Sequence, residues 1–233
     1  LEDYIYKKFI FPEIPKLWYF SDYFSLPCRI NLNDLAHEYR SGNLSAEEYK
    51  IANALFELSG LQVSDIQSEN NYEEFKAQLE ATSNSITDKM FEYWTTNKNL
   101  EIRFDIEHAP DNTRYLNIRI YNSKHRVTLP LKNRSKGFLW FFSFLVWFSK
   151  IQGDKKSKYI LLLDEPGLSL HAAAQNDLLR FIDEVLAPEY QVLYTTHSPF
   201  MIDSLKLNEV RTVYDTQDPK IGSVVSDAVE EKD

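Results

Sequence analysis

The stretch FLWFFSFLVWF, residues 138–148, restricts the fold more than any other part of the chain. It holds one hydroxyl and no charge, so exposing any of its faces to water is costly. It falls well short of the roughly 20 apolar residues that span a bilayer. It is therefore read as a deeply buried core helix over 136–150, and such a helix needs other layers packed around it. Two apolar runs supply candidates. KYILLLD, 158–164, reads as a strand buried on both faces, and QVLYTT, 191–196, reads as a second strand. A helical pattern over 172–186 separates them, and strand–helix–strand in that order predicts parallel neighbours.

The remaining segments follow two other periods. KLWYF, 16–20, reads as a further buried strand. From residue 100 the pattern alternates apolar with polar through LEIRFDIEHAP and RYLNIRIYNSKHRVTLPL, the two-residue period of half-buried strands, with Asn122-Ser123 as the hairpin turn. Between them, Ser45 and Glu48 form a capping box that opens a helix, and Gly60 closes it. Tyr72, Phe75, Leu79, Ile86, Met90, Tyr93 and Trp94 then fall on one helical stripe. These patterns make 31–99 a helical insertion, either packed on the core or projecting as a dimerisation arm. The lobe that carries it is formed by 1–30 and 100–233. The chain opens on Leu1 and is read as a segment of a longer protein, with DAVEEKD at its end as a linker.

Charge and cysteine usage narrow the setting. A net charge of −9 repels phosphate backbones and disfavours broad nonspecific DNA binding by this segment. The single Cys28 excludes an internal disulfide and suits a reducing cytoplasm.

Three short segments carry the chemistry. The first is LLLDEPGLSLH, 161–171. In a parallel sheet, ligands sit beyond the carboxyl ends of the strands, where this run places Asp164 and Glu165. Asp164 suits Mg²⁺, which takes oxygen ligands and keeps several waters. Glu165 suits a general base that polarises an attacking water. Alone, the pair reads equally well as a strand end or a helix cap. The second is LYTTHSPFMID, 193–203, whose His197 falls one crossover after Asp164, so the two strand tips should lie side by side. His197 there suits a hydrogen-bond donor to a γ-phosphate oxygen. Ser198-Pro199 by itself reads as a helix start. The third is NRSKGFLWFF, 133–142, where Arg134, Ser135, Lys136 and Gly137 precede the core helix. Helix N-termini bind anions, although in isolation this is simply a capped helix. No G-x-x-x-x-G-K-[ST] phosphate loop is present in the chain.

Taken together, NRSKGF, LLLDEPGLSLH and TTHSPFMID resemble, in order, the signature segment, Walker B strand with D-loop, and switch-histidine segment of an ABC-type ATPase head. The resemblance is to the C-terminal part of the head of the OLD (overcoming lysogenization defect) family, related to the RecF-type and chromosome-maintenance ATPases. VRTVYDTQDPKIGSVVS, 210–226, resembles the strand pair that follows in OLD proteins, and EIPKLWYFSDYFSLP and ITDKMFEYWTTN also look like this family. The resemblance implies an α/β fold: an ABC-ATPase head lobe with mostly parallel core strands, an antiparallel strand pair and a helical insertion. It implies ATP and Mg²⁺ as cofactors, with Asp164 organising the metal, Glu165 as catalytic base and His197 as switch. It also implies that Ser135, Lys136 and Gly137 form the segment facing the γ-phosphate of ATP held by another protomer. Gly167–His171, with Ser169 and His171, corresponds to the D-loop. Two departures stand out: Ser-Lys-Gly replaces the Ser-Gly-Gly of transporters, and the D-loop lacks its usual Asp. The implied partners are a second copy through the heads, a nuclease module or subunit, and DNA through the full assembly. The implied setting is cytoplasmic anti-phage defence, with no membrane. Two rivals stay open: a RecF-like repair clamp without a nuclease, and a non-hydrolysing dimerisation scaffold. Intact Asp164, Glu165 and His197 argue against the scaffold.

Overall fold

The computed structural model describes residues 2–21, 25–42, 47–58, 60, 72–95, 97–154 and 157–227. Ser45 of the expected capping box and most of the DAVEEKD tail lie outside the described residues. A short helix, α1 (Glu2–Ile5), opens the chain and is followed by strands β1 (Lys16–Ser21) and β2 (Arg29–Asn31). Three helices come next: α2 (Leu32–Ser41), α3 (Glu47–Leu58) and α4 (Tyr72–Tyr93). Then come β3 (Leu100–His108), β4 (Arg114–Asn122), β5 (Val127–Pro130), helix α5 (Lys136–Gly153), β6 (Tyr159–Asp164), helix α6 (Ala172–Phe181) and β7 (Gln191–Tyr194). A hairpin of β8 (Arg211–Asp215) and β9 (Ser223–Asp227) completes the described chain.

The fold is α/β. One sheet, in the order β1-β6-β7, is wholly parallel. A second, antiparallel sheet centres on β4, with β3 on one side and with β2 and β5 also paired to it. The parallel pairing of β6 with β7 agrees with the expected crossover, and its register sets Leu163 beside Tyr194. The expected Asn122-Ser123 turn is longer. Strand β4 ends at Asn122, and the Asn122 side chain accepts from the backbone N–H groups of Lys124 and His125, which closes a wider turn before β5.

Helix α5 holds the core together, as its composition demands. Phe138, Trp140, Phe141, Phe142, Phe144 and Phe148 are all buried. Phe144 stacks between Trp140 (5.5 Å) and Phe148 (6.0 Å) along the helix. Its ring also meets Phe20 of β1 edge-on at 5.2 Å and Phe181 of α6 at 6.0 Å. Ring pairs of these geometries are favourable beyond the area they bury. The stripe on α4 also points inward: Leu79, Ile86, Met90 and Trp94 join the same buried cluster. At the end of α4, Asp177 of α6 accepts from the Thr95 N–H at 2.8 Å and from its hydroxyl. The helices of 31–99 are thus packed into the core between β2 and β3.

The parallel sheet departs from expectation in one respect. The sequence predicts buried strands for β1 and β6, β6 on both faces, yet among the described residues helices cover only one face of the sheet. Trp18, Phe20, Leu161 and Leu163 are buried against the helices. On the other face Leu17 is 68% exposed, and Tyr19 and Leu193 are each 50% exposed, with Ile160 and Leu162 half-buried between them. Residue type alone cannot distinguish a strand covered twice from one whose second face lies open. Parallel sheets are ordinarily covered on both faces.

Candidate functional site

Strand parity sets the orientation of the site. Asp164 ends β6 on the same side as Leu162, so its carboxylate emerges on the open face of the sheet. Two hydroxyls from the flanking strands reach it. Thr195, just beyond β7, donates to Oδ1 at 2.7 Å, and Tyr19 of β1 donates to Oδ2 at 2.9 Å. The Thr195 bond first, and the Tyr19 bond second, hold the Asp164 carboxyl below the usual carboxylate range. The group is therefore anionic near neutral pH.

Glu165 follows in a left-handed conformation, φ +48°, which is uncommon outside glycine and carries a strain of about 1–3 kcal/mol. The neighbouring strand holds it there. The Glu165 N–H donates to the Thr195 hydroxyl at 2.9 Å, and the His197 N–H donates to Glu165 Oε2 at 3.3 Å. Nε2 of His197 lies 3.2 Å from Glu165 Oε1. The two expected partners thus meet at adjacent strand tips, with the Thr195 hydroxyl joined to both acidic residues. The His197 side chain is otherwise open to solvent, at 92% exposure.

A turn leads from Glu165 to α6. Gly167 sits at φ +79°, a conformation that admits glycine without strain. Its carbonyl helps to shape the turn, accepting from the Leu170 N–H at 2.8 Å. Ser169 is exposed. His171 caps α6, its Nδ1 accepting from the Ala174 N–H at 3.3 Å, so this ring has a structural task here.

The signature-like segment lies at the start of α5. Ser135 is the N-cap, its hydroxyl accepting from the Phe138 N–H at 3.3 Å, which leaves the hydroxyl proton for an outside acceptor. Lys136 is exposed. Gly137 is buried, and a Cβ there would lie 2.7 Å from the Ser169 carbonyl oxygen and 2.6 Å from Leu170. Glycine is required at this position because the turn after Glu165 packs directly on the first turn of α5. That close approach joins the third segment to the other two.

Three residues of this arrangement fall outside the expected site residues: Tyr19, Thr195 and Gln175. Tyr19 was read only as part of a strand, and its position beside Asp164 depends on the pairing of β1 with β6. No group of three or more His, Cys, Asp or Glu among the described residues forms a metal cage. The donor set still suits Mg²⁺, which is commonly held by one or two carboxylates together with waters and substrate phosphates. Each Asp164 oxygen keeps a lone pair beyond its hydroxyl bond.

A family model described as AAA ATPase domain matches residues 9–202. The chain belongs to the AAA ATPase domain family. This ATPase domain is 33% identical over 117 residues to the uncharacterized protein MJECL43 of Methanocaldococcus jannaschii, a match that covers 49% of this chain. It spans only 28% of that relative's length. Among solved structures it is similar to an Smc head bound to the C-winged helix domain of ScpA, with 18% identity and a TM-score of 0.46, covering 74% of this chain and 48% of that one. It is also similar to a structure from work on ATP-driven dimerization and DNA-stimulated activation of SMC ATPases, with 18% identity and a TM-score of 0.44, covering 66% and 87%. Among its described residues, no helix is long and apolar enough to cross a membrane.

Proposed function

We propose that this ATPase domain is the acidic-strand half of an ABC-type head of the OLD kind, in which ATP bridges two heads. In this reading Glu165 is the base that activates the attacking water, and His197 senses the γ-phosphate. Asp164 organises Mg²⁺, which supplies charge neutralisation at the phosphates when bound. Ser135 offers its free hydroxyl proton, Lys136 its charge and Gly137 its backbone N–H to ATP held by the other protomer. Ser169 and His171 belong to the turn that meets the partner head. A phosphate loop is supplied by a part of the protein outside this chain. The full assembly is a homo-oligomer whose ATP cycle gates an attached or partner nuclease acting on DNA, in cytoplasmic anti-phage defence.

The observation that carries the ATPase part is the meeting of Glu165 and His197 at 3.2 Å beside Asp164. An ionised carboxylate, a second carboxylate and a histidine at neighbouring strand tips fit phosphoryl transfer to water. The nuclease and defence parts are supported by the resemblance of the three motifs. The net charge of −9 supports a reading in which broad DNA contact falls mainly on other parts of the assembly.

Glu165→Gln in the full-length protein tests the site. It is expected to bind ATP as the parent does and to hydrolyse it about 10²–10⁴-fold more slowly, the usual contribution of a general base. Undiminished turnover would remove Glu165 from that role. DNA cleavage by the full-length protein, compared with ATP, with ADP and without nucleotide, tests the gating. Cleavage indifferent to nucleotide would refute it.

A further inference from the structure

Gln175 lies in the first turns of α6 and is 6% exposed, among the apolar residues Ala174, Leu178 and Phe181. Both ends of its side-chain amide are engaged. Nε2 donates to the Gly167 carbonyl at 2.9 Å, and Oε1 accepts from the Ser198 hydroxyl at 2.7 Å. A carbonyl can only accept, so the amide orientation is fixed: a flipped amide would set oxygen against oxygen at Gly167. Gly167 belongs to the turn that follows Glu165. Ser198 follows His197 and caps the short helical turn Pro199–Met201, accepting from the Phe200 N–H at 3.3 Å.

The two loops that present the reacting groups are thus tied twice. At the strand tips the ties are Thr195 to Glu165 and His197 to Glu165. Behind them the tie is Gln175. The turn held by Gln175 also packs on Gly137, two residues from Ser135. A displacement of the His197 loop therefore pulls on Ser198, on the Gln175 amide, on the Gly167 carbonyl and on the start of α5.

We propose that Gln175 is a positioning residue that makes the switch-histidine turn and the Gly167–Leu170 turn move as one unit, transmitting the state of His197 to the Ser135 end of α5. This rests on the ATPase reading above and adds to it a path by which γ-phosphate sensing on one strand tip reaches the surface that faces a second head. A residue needed only for packing would be served by an apolar side chain. The two-ended amide is suited to holding two turns in register, because breaking either bond leaves a buried polar group unsatisfied.

The test uses the full-length protein with Gln175→Met, Gln175→Glu, Ser198→Ala and the double variant Gln175→Met/Ser198→Ala. Methionine keeps the length and packing and removes both polar ends. Glutamate keeps the acceptor for Ser198 and loses the donor to Gly167. Turnover per folded molecule and ATP affinity are measured separately. The expected result is a fall in kcat of about 10-fold or more for Gln175→Met and for Ser198→Ala, with ATP affinity within about 2-fold of the parent. The double variant should be no slower than the slower single, because both substitutions break one bridge. Unchanged kcat in Ser198→Ala and in whichever Gln175 variant folds overturns the proposal. Multiplicative losses in the double variant do the same, since they indicate two independent packing defects. The parent and Glu165→Gln run in parallel: no ATP turnover by the parent means the ATPase reading itself fails, undiminished turnover in Glu165→Gln removes Glu165 as base, and a slow Glu165→Gln beside a normal Gln175→Met removes only the bridge.

Discussion

At the residue scale, Asp164 shows how neighbouring hydroxyls tune a carboxylate that remains open to solvent. Its pKa is depressed by the Thr195 bond first and the Tyr19 bond second. Thr195→Val should therefore raise the Asp164 pKa toward the usual carboxylate value, and by more than Tyr19→Phe does. Carbon-detected NMR of the side-chain carboxyl reads both, and the reverse order would show that Tyr19 is the stronger partner. A folded-state pKa below the unfolded one contributes stability above the unfolded value of about 3.9, and that contribution is lost as pH falls through the folded value. Thr195→Val should accordingly lower the neutral plateau by this carboxylate's lost contribution and so flatten the acid limb of the stability curve. Gly137 makes a second residue-scale case. Gly137→Ala places a methyl 2.7 Å from a backbone oxygen, and overpacking of this kind costs about 1–3 kcal/mol. Denaturant unfolding checks the loss.

At the scale of elements, α5 and α6 do different work. Helix α5 is the hydrophobic centre, and Phe144 lies at the crossing of β1, α5 and α6. Phe144→Ala should cost about 3–5 kcal/mol, the range for deleting a fully buried ring. A much smaller loss in unfolding free energy would mean that the neighbouring rings collapse into the space. The burial of this helix was legible in the sequence because eleven successive positions offered no polar face. The strand–helix–strand unit of β6, α6 and β7 was legible for a similar reason, since its apolar runs were short and separated by a helical period. The open face of the parallel sheet was not legible. Leu17, Tyr19 and Leu193 are as apolar as the residues beneath the helices, and composition does not record which side a helix covers. The wider turn after β4 was also missed by local patterning, because the Asn122 side chain supplies the acceptor that closes it.

At the scale of the whole molecule, the proposed site is divided between copies. In the proposed arrangement, Ser135 and Glu165 would serve different nucleotides within one head but the same nucleotide across two heads. Ser135→Arg should abolish turnover by placing a large side chain at the composite site, and so should Glu165→Gln. Mixing the two full-length variants should restore activity, because one of the two sites in a mixed dimer then carries neither substitution. The expected yield is up to about one quarter of parental activity under random pairing of equal amounts with independent sites. No recovery on mixing would show that both residues serve one protomer's site or that the two sites fire only together.

The sequence by itself determined the strand–helix–strand order of β6, α6 and β7, the alternating strands β3 and β4, the buried helix and three short segments bearing Ser135, Asp164-Glu165 and His197. Hydrophobic period and residue type are local properties, and these features are local. The tertiary structure decided which strand lies beside β6 and so which hydroxyl meets Asp164. Tyr19 stands 145 positions away in the chain. It also decided that the Gln175 amide links two turns and that Gly137 yields to the Ser169 backbone. Those contacts follow from strand pairing and close packing between distant segments, and no single segment carries a pattern that specifies its partner.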